Sequence, residues 1–68
     1  MDVFTVRFVR NDFRPNEEYS YYVKEDAEHH FSLFHNDDSG LYREIVLLRT
    51  AGDKGTVLNS ALIFRLTL

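Results

Sequence analysis

The chain contains no cysteine. Disulfides and cysteine-ligated metals are therefore excluded as staples for a small fold. The absence also fits a reducing compartment. Glycine occurs three times, and none of the three belongs to a phosphate-cradling loop. No apolar run approaches the roughly 20 residues of a membrane span. The start Met1-Asp2-Val3-Phe4 has no basic region leading into an apolar stretch, so no secretory signal is expected. The expected location is the cytoplasm. Ser20, Ser32, Ser39 and Ser60 stand in no nucleophile-elbow or triad context. A chain of 68 residues also has little room for a deep pocket. The sequence thus reads as non-enzymatic, with no cofactor.

What is present is aromatic and unevenly charged. Residues 1–68 read as one domain. A chain this short buries only roughly 60% of its unfolded surface. Six Phe and four Tyr are an economical filling for so thin a core. The net charge is −3, yet residues 25–40 hold five acids and no base, while residues 41–68 hold four bases and two acids. The middle of the chain is its acidic part, and the predicted strands carry the arginines.

Hydrophobic spacing gives the elements. Val3 to Arg10 alternates, with Phe4, Val6 and Phe8 on one face and Thr5, Arg7 and Val9 on the other. Asn11 to Asn16, with Pro15, reads as a wide turn whose Asn and Asp side chains bond local backbone. Glu18 to Val23 is a tyrosine-rich strand. Ala27, Phe31 and Phe34 then recur at helical steps, placing a helix from Lys24 to about His35. Glu25, Asp26 and Glu28 suit its positive end. Its N-cap is weak, with Val23 or Lys24 at the capping position. Asn36 is the nearest left-handed cap and Gly40 frees the backbone beyond it. Leu41 to Arg49 is a third strand, Ala51 to Gly55 a hairpin loop, and Thr56 to Leu66 a fourth strand. The order ββαββ predicts an α+β fold: a four-stranded antiparallel sheet with one helix on one face.

One helix covers one face of a sheet. With Phe4, Val6, Phe8, Ile45, Leu47, Leu62, Phe64 and Leu66 toward the helix, alternation assigns Thr5, Arg7, Val9, Tyr22, Glu44, Val46, Leu48, Ala61, Ile63 and Arg65 to the far face. That face is more apolar than a solvated one, and contiguous apolar patches on small chains mark interfaces. The expectation is a homodimer joined through Tyr22, Val46, Leu48, Ala61 and Ile63.

The remaining motifs carry less chemistry. His29, His30 and His35 do not converge on one helical face, and two ligands such as Asp26 and His30 make a weak site, so no metal is expected. Asp37-Asp38-Ser39-Gly40 lacks the further oxygens and closing Glu of a calcium loop. Leu33 falls on the exposed side of the helix. An acidic surface of Glu25, Asp26, Asp37 and Asp38 suits a basic site on a partner protein, including one that normally holds nucleic acid. The alternative is a nucleic-acid-binding module using Arg7, Arg43 and Arg65 with strand tyrosines, against which the net charge has the wrong sign.

The pattern Lys24-Glu25-Asp26-Ala27-Glu28, Phe31, Phe34, Asp37-Asp38-Ser39-Gly40-Leu41-Tyr42, Ile45, Leu47 resembles small uncharacterised proteins of Gram-positive bacteria and their phages. Val23 departs from the Ser or Thr cap expected there. The resemblance implies a bacterial or phage cytoplasmic setting and no established activity, and carries no functional residue across; the acidic segment, left free for a second partner, suits a phage-type modulator of a host protein.

Overall fold

Alternating β-branched and aromatic residues build the sheet. The computed structural model describes residues 2–34 and 39–63. Its elements are β1 (Asp2–Arg10), β2 (Glu17–Tyr21), α1 (Lys24–Phe34), β3 (Tyr42–Ala51) and β4 (Lys54–Leu62). They form one antiparallel sheet in the order β2-β1-β3-β4. The α+β ββαββ architecture is thus as the hydrophobic spacing predicts. His35, Asn36, Asp37, Asp38, Phe64, Arg65 and Leu66 lie outside the described residues.

The helix forms despite its weak cap. The Val23 carbonyl accepts from the Asp26 and Ala27 amides at 3.2 and 3.4 Å, making Val23 the residue at the N-terminal boundary. Ala27 and Phe31 are buried and Phe34 packs beside them, while Leu33 is exposed. These side chains meet Phe4, Val6, Phe8, Ile45 and Leu47, which the register places in rows on one face. Burying each large side chain contributes about 1.5–3 kcal/mol. The body is flat, 45 × 23 × 14 Å, as two layers require.

Two turns fix the strand ends. The β1–β2 loop is wide, and Asp12 Oδ1 accepts the Arg14 amide at 3.1 Å, the local backbone bonding expected of Asp. The β3–β4 turn is tighter than the sequence implies. Ala51 pairs with Lys54 across Gly52 and Asp53. Gly52 takes φ +65°, the left-handed backbone a type II′ hairpin demands at its first central position.

The structure corrects the assignments of Ala61, Ile63, Leu62 and Tyr22. Ile45 pairs with Ala61, so Ala61 shares the helix face, and both Ala61 and Ile63 pack against the core. Leu62, opposite Glu44, belongs to the far face and is exposed. Tyr22 lies past the end of β2 and is exposed there; it is no part of the sheet. Val46 and Leu48 do lie on the far face, opposite Arg7 and Thr5.

Candidate functional site

The helix does not cover the sheet evenly. It packs on β1, β2 and β3, and β4 is exposed from Lys54 to Ser60. On the far face, Thr5 hydrogen-bonds Ser20 at 3.0 Å and Arg7 pairs with Glu18 at 2.6 Å. The β1–β2 half of that face is therefore polar and internally paired. Across β3 and β4 the character changes. Leu48 stands opposite Val57, and Val46 opposite Ser60, with Leu62 one row further on. Val57 and Leu62 are 59% and 68% exposed, whereas Val46 is 9% exposed. These four residues make an apolar strip that ends at an open sheet edge.

On the helix face, a groove of about 480 Å³ runs between α1 and β4. Phe31, Leu47 and Leu58 supply its apolar lining, and Lys24, Glu28 and Asn59 its polar rim. Leu58 and Asn59 both line this groove although they are neighbours in sequence. The reason is a β-bulge. Leu47 pairs with Asn59 but Leu48 pairs with Val57, leaving Leu58 as the extra residue.

The opposite end of the helix face is closed by aromatic and charged groups. His30 sits among Phe8, Tyr19, Tyr21 and Phe34, with ring centroids 5.0–5.8 Å away. His30 Nδ1 is 2.7 Å from the Tyr21 hydroxyl. Burial lowers the His30 pKa, and the neighbouring His29 lowers it further. A neutral ring protonated on Nε2 accepts a hydrogen bond at Nδ1 from the Tyr21 hydroxyl, consistent with that direction.

Next to it, Glu17 accepts from Tyr19 at 2.9 Å and Tyr42 at 3.1 Å and pairs with Arg10. These bonds, from Tyr19 first and then Tyr42 and Arg10, hold its pKa below the usual value, and the Glu17 bond raises that of Tyr19. Arg10 also grips Asp12 at 2.8 Å, and that bond brings Asp12 down to about 2. The Arg10 guanidinium stands 5.5 Å from the Tyr42 ring centroid. Such a paired cluster is a clasp between β1, β2 and β3, with its donors and acceptors already engaged.

Glu25 and Asp26 are exposed in the first turn of α1; Asp37 and Asp38 lie outside the described residues. Among the strand arginines, Arg7, Arg10 and Arg49 are paired with Glu18, Asp12 with Glu17, and Asp2. Arg43 is exposed, and Arg65 lies outside the described residues. Among the described residues no three metal-ligating side chains converge, and no helix is long and apolar enough to cross a membrane.

Sequence reasoning missed Val57 and Leu62 as surface residues of the strip, and Phe13, which is fully exposed at the β1–β2 loop. It also missed the Glu17 clasp. The signal for the clasp is Glu17, Tyr19 and Tyr21 at alternate positions, which share a face. The chain matches no family model, no curated protein and no solved structure.

Proposed function

We propose that this chain is a non-enzymatic protein-binding module that acts as a homodimer. Its self-contact lies on the β3–β4 side, with the strip of Val46, Leu48, Val57 and Leu62. The acidic first turn of α1, Glu25 and Asp26, is left to a basic site on a second protein, in keeping with a cytoplasmic phage-type modulator of a host protein. The observation that carries this reading is the uneven cover of the sheet: α1 packs on three strands and leaves β4 exposed. Side chains as apolar as Val57 and Leu62 gain from burial, at about 1.5–3 kcal/mol each when fully covered. For a domain whose whole stability is of the order of 5–15 kcal/mol, that gain is a sizeable addition. The paired state of Arg7, Arg10 and Arg49 weighs against nucleic acid, whose phosphates need cations free to release counterions.

Light scattering at high micromolar concentration tests the reading. The expected mass is that of two chains, falling to one chain in Leu62→Asp with the helical circular dichroism retained. A single-chain mass for the unaltered protein overturns the homodimer.

A further inference from the structure

The sheet has two edges, and they are unlike. The β2 edge is five residues long and carries Glu17 and Glu18, both tied into ion pairs. Short length and charge are the usual ways of closing an edge to pairing. The β4 edge is nine residues long, and its sole charge, Lys54, sits at its first position. A long edge that is neutral over the rest of its length is a template for another strand.

The bulge determines what kind of strand fits. In a regular strand neighbouring residues point to opposite faces, and residues paired across a ladder share a face. A strand pairing antiparallel with its own copy must therefore place the two-fold axis on a residue, not between two. The bulge changes this. Leu58 and Asn59 both line the helix-side groove, while Val57 and Ser60 on either side oppose the far-face residues Leu48 and Val46. Counted outward from the Leu58–Asn59 step, the faces of β4 run in the same order in both directions. An axis through that step pairs Leu58 with Asn59 of the copy, Val57 with Ser60, Thr56 with Ala61 and Gly55 with Leu62, each on a common face.

The hydrogen-bonding phase agrees. The Ile63 amide donates to the Arg43 carbonyl at 2.9 Å. Antiparallel alternation then turns the Ser60 and Leu62 amides away from β3, to the open edge. Ser60 bears this out: its amide donates to Asn59 Oδ1 at 2.9 Å, a local substitute for a neighbouring strand. At the other end, the two-residue hairpin makes Ala51–Lys54 the closing pair, so Gly55 and Val57 also turn outward. The outward set Gly55, Val57, Ser60 and Leu62 is the set that the axis pairs with itself. The space fits as well. A side chain at Gly55 would meet nothing within 4 Å, and Leu62, 68% exposed, is the residue brought opposite it.

We infer that β4 pairs antiparallel with β4 of a second copy about a two-fold axis at the Leu58–Asn59 step, joining both sheets into one. This rests on the homodimer reading and specifies its contact. The axis of such a strand pair is perpendicular to the sheet, so both α1 helices stand on the same side, flanking the joined grooves. Each Lys54 lies at the far end from the other, and the contact is isologous and closed. A β2-to-β4 contact is head-to-tail and would propagate instead.

Two measurements test it. Ser60→Pro deletes an outward amide while leaving the bonds to β3, a position where an edge strand tolerates proline. It is expected to give a single-chain mass at concentrations where the unaltered chain is double, with helical circular dichroism retained. Because the chain has no cysteine, Val57→Cys and Ser60→Cys proteins can be mixed under oxidation. Paired strands bring those Cα atoms to about 5.5 Å, within disulfide reach, so the mixture is expected to cross-link far more than either variant alone. If the unaltered chain is double, Ser60→Pro stays double and the mixture shows no preference, edge pairing is wrong and the sheet-face contact of the homodimer stands. If the unaltered chain is single, both fall.

Discussion

The two sides of this sheet solve the same problem differently. On the β2–β1 side, Thr5 and Arg7 are partnered by Ser20 and Glu18 on one face, and Phe8 is covered by rings on the other. Phe8 touches Tyr19, His30, Phe34 and Tyr42, and Glu17 ties Tyr19, Tyr42 and Arg10 together. On the β3–β4 side, the inner strand is buried at Ile45, Val46 and Leu47 while the outer strand is exposed from Lys54 to Ser60. A single helix of eleven residues cannot span a four-stranded sheet, so one edge is completed by aromatic rings and ion pairs and the other is left open. The difference assigns the stability to the closed side and, on the homodimer reading proposed above, the self-contact to the open side.

The largest break in that contrast is Phe8→Ala. It removes the ring at the centre of the closed side and is expected to cost about 3–5 kcal/mol, measured by urea unfolding. Val57→Ser on the open side is expected to change the stability of the single chain by less than about 0.5 kcal/mol. Comparable losses for the two would erase the distinction.

Acid titration sharpens it next. The folded His30 pKa lies below its unfolded value because burial disfavours the charged ring, with His29 adding to the effect. The unfolded chain therefore takes the proton first as pH falls. Stability is expected to be level above about pH 6.5 and to decline below it. His30→Phe should flatten that part of the curve in thermal melts at stepped pH; an unchanged slope would sink the assignment.

A smaller effect is expected at Glu17. Its pKa and that of Asp12 are lowered in the fold, by the Tyr19 and Arg10 hydrogen bonds respectively. Their contributions are present above the unfolded carboxylate values and lost as pH falls through the folded ones. Glu17→Gln should lower the melting temperature less than Phe8→Ala and reduce the steepness of the acid limb below about pH 4. Least of all, Arg49→Ala breaks an exposed pair with Asp2 and should change stability by under about 0.5 kcal/mol in denaturant unfolding.

Much of the closed side is legible in the residues. Phe4, Val6 and Phe8 alternate against polar neighbours, and Ala27, Phe31 and Phe34 recur at helical steps, so both periods announce a buried face. The open side is not legible in the same way. In β4 both alternate sets are apolar, Ala61 and Ile63 on one side and Leu62 on the other, so alternation cannot choose between them. The bulge at Leu58 then shifts the phase of everything before it, and no residue type announces that shift. The Glu17 clasp depends on Phe8 meeting Glu17 and Arg10 meeting Tyr42, contacts between positions whose register only the assembled sheet supplies.

The placement of β1 has a consequence for how the chain comes together. The first strand of the sequence lies inside the sheet, pairing locally with β2 and remotely with β3, from Phe8↔Ile45 out to Asp2↔Ala51. The two hairpins are local and quick to close, but the seam between them encloses a long loop. Closing such a loop is an entropic toll that slows folding. During synthesis, β1 must wait until β3 has emerged. Once β3 and β4 have followed, their hairpin has two unpaired edges instead of one until the seam closes, so the rate of the β1–β3 seam decides whether Ile45 and Leu47 meet β1 or another nascent chain.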